Sequence, residues 1–422
     1  MLKYWKWGLL AIILTIVVYN LPPFYGKIDE NFSQDDFRRY DLFISDAVIH
    51  KMDSLARPVN NNFTYSKTWF KAKVLRGYDT LEAKIRLKGD KIDHYDTELL
   101  SWRLKYKVNG DKNIVSLQHP KTRTYISEWI FHKLLEQEGL PYLKYDFVSV
   151  YVNNKFKGLY AEEEHFSNHN IERNWNRVHG PILRFEDDKY WPAGLHWEDP
   201  KFIPGIYQEA EIRGFNYKKE ERNSDVYKRA VVLLNDYRNG QLPVNQIFDL
   251  QLLAKFYALT DLVGGHHGLR WINCRYYYNP ETNLFEPAGF DSNATRINKL
   301  AIHDERLNPH HQSKITSNPE FLKHYYHYLS IYSKKKFLDD FYRKHDAKLN
   351  LYLEAFNDQF NVDKSSLKSD LYLNQWVIFY NLNKKALFVG LFLIIGLIVF
   401  LQIKKRRSRN KPKLQTDLKT SA

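Results

Sequence analysis

Residues 260–296 hold the side chains best placed to do chemistry: His266, His267, Arg270, Asn273 and, after two short strand-like runs, Asp291. Gly264-Gly265 ends an apolar run, and a polar loop follows. Residues 274–278 and 284–290 read as strands joined by a turn at 279–283, and a hairpin brings its two ends together. Asn273 and Asp291, eighteen positions apart, are therefore expected side by side. An amide and a carboxylate converging at the mouth of a hairpin can hold Mg2+ beneath the phosphates of a nucleotide. The same residues also describe an ordinary hairpin with a polar rim, because polar residues beside turns are common. The single cysteine, Cys274, lies in a strand pattern and reads as a packed small residue. One cysteine excludes an intrachain disulfide framework and a cysteine-based zinc site.

The elements that must position these residues are also visible. Residues 249–263 form an apolar helical pattern, with Leu252, Leu253, Phe256, Leu259 and Leu262 as expected core beneath the loop. Upstream, residues 80–87 alternate, with Leu81, Ala83, Ile85 and Leu87 on one face and Glu82, Lys84 and Arg86 on the other. Residues 101–108 do the same: Trp102, Leu104, Tyr106 and Val108 oppose Arg103, Lys105 and Lys107. Both read as half-buried strands, and Asn109-Gly110 is a hairpin signal. The two strands carry adjacent basic positions, Arg86 and Lys88, then Arg103 and Lys105. These describe either a solvated sheet face or a cradle for polyphosphate. A helix is predicted over 125–137, closed by Gly139 and Pro141. A second hairpin is predicted over 147–161, around Asn153-Asn154, with Glu162, Glu163 and Glu164 after it. After Arg296 the patterns are helical over 321–332 and 334–356. Tyr325, Tyr326, Tyr328 and Tyr332 read there as packing and rim residues. His303, His310 and His311 read as loop histidines, with no HExxH-like metal spacing.

The chain has 422 residues and a net charge of +14, of which residues 404–413 contribute seven positive charges. Aromatic residues make up 16%, including 30 tyrosines, so a sizeable core is expected. No zinc finger, RNA-binding signature or helix-turn-helix pattern is present, and nucleic acid is not an expected partner. Residues 7–19 are apolar and, extended to 25, reach the length of a membrane span without a small-residue cleavage site. Residues 386–403 are eighteen uncharged residues followed by the basic tail. The positive-inside tendency puts both termini in the cytoplasm and the large middle region outside the cytoplasmic membrane. Nothing in the sequence fixes an oligomeric state.

In this order the pieces resemble the CotH kinase family. Its Arg-x-Arg-Gly-Asn motif is matched by Arg86-Leu87-Lys88-Gly89-Asp90, and its Ser-Tyr-Arg-Leu-Lys-Phe by Ser101-Trp102-Arg103-Leu104-Lys105-Tyr106. The helix-ending Gly-Leu-Pro is Gly139-Leu140-Pro141. The following hairpin motif is matched by Phe147 to Asn154, then Gly158-Leu159-Tyr160 and Glu164, and the last block ends at Asp291. The resemblance covers about residues 80 to 296. It implies an ATP pocket with Arg86, Lys88, Arg103 and Lys105 on the phosphate side and Glu164 near a connection between lobes. Arg184 stands where the family has a lysine, and Asn273 and Asp291 would hold Mg2+ or Mn2+. Where the family carries a catalytic aspartate about six residues before the asparagine, this chain has His267; Asp261 is the nearest upstream carboxylate. Those two are the candidate bases for a substrate hydroxyl.

The expected fold class is α+β: an atypical protein-kinase-like, two-lobed domain flanked by N- and C-terminal transmembrane helices. Its expected parts are a signal-anchor (1–25), an N-terminal extension (26–79), a kinase-like core (80–300), a helical part of the same domain (301–383), a second span (384–403) and a basic cytoplasmic tail (404–422). The expected function is phosphoryl transfer from ATP to a protein or cell-envelope hydroxyl. The alternatives are a catalytically silent relative acting as a binding or scaffold protein in envelope assembly, and an envelope protein that binds carbohydrate through its aromatics.

Overall fold

The alternating runs become the wall of a barrel. A computed structural model describes residues 36–56, 68–76, 79–89, 94–95, 99–108, 110–167, 170–186, 203–215, 219–304, 307, 309–362 and 364–409. The first half runs β1 (Arg38–Phe43), α1 (Asp46–Ala56), β2 (Phe70–Arg76), β3 (Asp79–Leu87), β4 (Trp102–Val108), β5 (Asp111–Gln118), α2 (Ile126–Gln137), β6 (Tyr145–Val152) and β7 (Lys155–Glu164). The seven strands close in the order β1-β2-β3-β4-β5-β7-β6. Leu42, Val74, Ile85, Leu104, Leu117 and Val150 belong to the core inside it, none more than 1% exposed. Because side chains alternate along a strand, the basic residues of β3 and β4 project outward. Arg86, Arg103, Ser116 and Glu163 stand opposite one another across four neighbouring strands of that outer face.

This closed barrel corrects the two-lobed expectation. The cause lies in residues 26–79, read from sequence as an extension. They supply β1 and β2, and β1 pairs antiparallel with β2 and parallel with β6, joining the sheet's two edges. The expectation of two flanking spans is corrected as well. Among the described residues one helical stretch, Asp370–Lys404, is long and apolar enough to cross a membrane. The N-terminal apolar run lies outside the described residues.

The second half carries a four-stranded sheet and helices. In order these are β8 (Ile182–Glu186), α3 (Ile203–Glu209), β9 (Glu211–Gly214), α4 (Asp225–Asn239), α5 (Leu250–Val263), β10 (Arg275–Asn279), β11 (Leu284–Ala288), α6 (Pro309–Thr316), α7 (Pro319–Tyr332), α8 (Lys335–Phe360) and α9 (Lys364–Arg409). The sheet order is β11-β10-β8-β9. Helix α5 packs on α7 and on α2. The Asp249 side chain caps α5 by accepting from Leu252 N at 2.9 Å. Gly264 ends it at φ 73°, where a Cβ would overlap the Thr295 carbonyl oxygen. The chain divides into two units, Met1–Ile378 and Phe379–Ala422. In the second, Phe388, Phe392, Leu393 and Phe400 are exposed, a surface suited to lipid.

Candidate functional site

Three stretches distant in sequence meet on the outer face of the barrel. The first is the end of β3, where Lys88 is 6% exposed. The second is the end of β5 with the turn after it, carrying Gln118 and Arg123. The third is the segment that follows β11, carrying Asp291. Lys88 Nζ donates to Gln118 Oε1 and lies 3.8 Å from Glu163 Oε1. Gln118 Nε2 donates to Glu163 Oε2 at 3.1 Å. Arg123 then spans two carboxylates: its Nε is 3.9 Å from Glu163 Oε2 and its Nη1 is 3.1 Å from Asp291 Oδ1. The result is a buried chain of alternating charge, Lys88–Glu163–Arg123–Asp291.

Backbone strain brackets this chain. Thr124, Tyr125, Asp291 and Asn293 all have left-handed φ, at 56°, 54°, 52° and 41°, a costly conformation for residues with a Cβ. Thr124 Oγ1 donates to Asn293 Oδ1 at 3.0 Å, linking the two corners. Glu128, fully buried on α2, holds the second corner. It accepts from Ser292 N at 3.0 Å, Asn293 N at 3.3 Å and Ser292 Oγ at 2.5 Å. Burial opposes the charge on Glu128, but His132 at 3.5 Å and Arg123 outweigh it and lower its pKa.

The loop after α5 supplies the other side. A Cβ on Gly268 would come within 3.0 Å of the Phe290 carbonyl oxygen, so the loop lies tight against the 290–292 segment. His267 Nδ1 is 3.0 Å from the Asp291 carbonyl oxygen, 3.4 Å from its Oδ1 and 3.1 Å from Asn273 Nδ2. Asn273 also donates to the His267 carbonyl at 2.9 Å. Nδ1 thus meets the Asp291 oxygens as a donor or the Asn273 amide as an acceptor, according to the tautomer; in the tautomer that donates to Asp291, Nε2 is the proton acceptor.

Electrostatics follow from burial and pairing. Burial lowers the Lys88 ammonium to about 8, against the pull of Glu163. Burial opposes ionisation of Asp291, yet Arg123, His267 and Lys88 together hold its carboxyl far below the usual carboxylate range. Burial opposes the charge on Arg123 too, and Asp291, Glu163 and Glu128 keep it fully protonated. His94 and His165 are held well below their ordinary value, first by burial and then by the cations around them. For His165 those cations are Arg103, Arg86, Arg184 and Lys88. Five positive side chains therefore gather within electrostatic reach of this face.

The residues singled out from sequence separate into groups. Lys88, Asp291, His267 and Asn273 come together. Arg86 and Lys105 flank Trp69, at 5.2 Å and 5.3 Å from its ring centre. Arg103 stands opposite Arg86 in the sheet. Arg184 pairs with Glu186 and lies 5.3 Å from the Phe215 ring centre. Glu164 accepts from Lys144 N and Asn174 and lines a separate polar cavity of about 1050 Å³ beside α2. Asp261 is fully buried. It accepts from Ala301 N at 2.7 Å and from Tyr325, and lies 2.8 Å from His266 Nε2, so both its oxygens are committed. Sequence reading missed Arg123, Gln118, Glu128 and the part played by Glu163. Only Glu163 left a trace, as one of three consecutive glutamates.

A divalent cation was expected between Asn273 and Asp291. Asp291 Oδ1 is buried without an aligned hydrogen bond, the kind of oxygen a cation would use. Arg123 already faces it at 3.1 Å, however, and Asn273 turns its amide nitrogen to His267. Among the described residues no three His, Cys, Asp or Glu side chains converge on a metal position. As arranged, the side chains build no ready-made divalent site: Arg123 occupies the Asp291 Oδ1 side, and Asn273 gives its Nδ2 to His267.

The family model described as CotH kinase protein matches residues 85–368. The chain belongs to the CotH kinase family. The matched span runs from β3 into the start of α9 and includes every residue of the charged chain. Among solved structures, this CotH-family chain is similar to a proinflammatory kinase, CtkA, of Helicobacter pylori. The identity is 12% and the TM-score 0.28, over 68% of this chain and 95% of that one. No match is found among curated proteins.

Proposed function

We propose that this chain is a membrane-anchored phosphotransferase of the CotH type, taking the phosphoryl group from ATP to a hydroxyl on a protein or envelope polymer. The observation that carries the reading is the Lys88–Glu163–Arg123–Asp291 chain. It joins the motif cation after β3 to the motif carboxylate after β11, in a strained and buried setting. Oriented, desolvated charges of this kind stabilise charge that develops in a transition state. Lys88 and Arg103 neutralise polyphosphate oxygens. His267 Nε2 takes the proton from the acceptor hydroxyl as its oxygen bonds to the terminal phosphorus, and the bond to the bridging oxygen breaks to leave ADP. The apolar stretch Asp370–Lys404 supports anchoring, and the basic residues after it support a cytoplasmic C-terminus with the folded unit on the far side.

The test uses the full chain in detergent with radiolabelled ATP and an extract of envelope polymer and protein. Label transfer that is lost in His267→Ala, with ATP binding kept, supports the reading. A second reading, nucleotide binding without transfer, is favoured by His267 standing where the family has an aspartate; binding with no transfer selects it. No binding sinks both.

A further inference from the structure

The misfit of the expected metal site carries an inference that rests on the polyphosphate reading above. Arg123 lies on a short turn, Pro120–Arg123, and is 7% exposed. Its Nη1 donates to the Thr122 carbonyl at 3.1 Å, which helps fix the guanidinium. The same Nη1 lies 3.1 Å from Asp291 Oδ1, and Nε lies 3.9 Å from Glu163 Oε2. Within the chain the charges pair off, Lys88 and Arg123 against Glu163 and Asp291, while Glu128 beside them is taken up by Ser292, Asn293 and His132. With no ligand present, a divalent ion beside Asp291 would face the Arg123 guanidinium in a buried place, which is unfavourable. A Mg2+ ion also needs about six oxygens at roughly 2.1 Å. Here Asp291 Oδ1 faces a guanidinium and Asn273 Nδ2 faces His267, so a divalent ion would draw most of its oxygens from water and the ligand phosphates.

We propose that Arg123 is the resident cation of this site, supplying beside Asp291 the charge that a divalent ion supplies in other phosphotransferases, so that polyphosphate binding needs no divalent ion. A guanidinium suits this role because it is always charged and presents paired donors to oxyanions. A ligand phosphate approaching Lys88 meets the Arg123 charge already held in place by Asp291 and Glu163. Asp291 then acts as a positioning residue for Arg123, not as a ligand.

The test measures binding of ATP and of inorganic tripolyphosphate to the full chain in detergent, with excess EDTA or excess Mg2+. The expected result is a Kd that agrees within about threefold between the two conditions. Arg123→Lys keeps that independence. Arg123→Gln weakens binding in EDTA by about tenfold or more and uncovers Asp291, so that Mn2+ binding, read by electron paramagnetic resonance, appears in the variant and not in the parent. Parent binding that falls by about tenfold or more in EDTA, or Mn2+ bound by the parent without nucleotide, overturns the proposal and leaves the phosphotransferase reading standing. Absence of ATP binding in both conditions overturns that reading and the proposal with it. The parent measurement decides even where Arg123→Gln does not fold.

Discussion

The loop that presents His267 hangs on its neighbour, and a pH series reads that dependence. His266 is 7% exposed and sits between two carboxylates: Nε2 is 2.8 Å from Asp261 Oδ1 and Nδ1 is 2.9 Å from Asp304 Oδ2. Lys299 lies 3.8 Å from Asp304, and Tyr325 donates to Asp261. Burial opposes the imidazolium, but the two carboxylates outweigh it and raise the pKa from 6.5 to about 9. A raised value means that the folded state holds the proton more tightly than the unfolded chain. The stabilisation is therefore complete below the unfolded value and is lost as pH rises through about 9. At 1.36 kcal/mol per pKa unit the shift corresponds to about 3 kcal/mol. The perturbation is His266→Gln, and the assay is chemical unfolding of the full chain in detergent, followed by near-ultraviolet circular dichroism between pH 6 and 10. The variant should be less stable than the parent by about 3 kcal/mol at pH 6, with the gap narrowing toward pH 10. A gap that stays constant across the range would refute the charged clamp. Subtracting the variant removes the titration of the many other groups shared by both proteins.

Three further outcomes follow from the same geometry. Gly264→Ala must bring a Cβ onto the Thr295 carbonyl oxygen at φ 73°; a loss of at least about 2 kcal/mol of stability is expected in thermal unfolding, and an unchanged midpoint would contradict the packing. Glu128→Gln removes the charge that three donors from Ser292 and Asn293 share. It should cost about 2–3 kcal/mol in urea unfolding and weaken ATP binding by displacing the neighbouring Asp291; unaltered stability and affinity would remove Glu128 from the account. Lys88 loses its proton near pH 8, so ATP affinity should decline as pH rises through that value. A flat profile, or one matched by Lys88→Met, would exclude Lys88 from phosphate contact.

What the sequence makes legible is what repeats. The inward and outward faces of 80–87 and 101–108 are visible because strand side chains alternate and one face must be buried. Helix α5 is visible from its apolar spacing and its glycine stop. Barrel closure is hidden because β1, Arg-Arg-Tyr-Asp-Leu-Phe, carries three charges in six residues. Arg39 is met within the strand by Asp41, but Arg38 is met only in three dimensions, by Glu162. The site divides the same way. Lys88, Asn273 and Asp291 stand in spaced motifs, whereas Arg123 lies in a turn with no period and takes its meaning from a carboxylate 168 positions away. Asp261 illustrates the converse: a carboxylate of the right type near the loop, committed instead to His266, Tyr325 and Ala301.

The most direct measurement of the central claim is a structure of the full chain with a non-hydrolysable ATP analogue bound. The account predicts the terminal phosphate in contact with Lys88 and beside Arg123, with His267 Nε2 facing the side from which an acceptor hydroxyl would approach. A nucleotide bound instead in the cavity lined by Glu164, with the Lys88–Glu163–Arg123–Asp291 chain untouched, would contradict it.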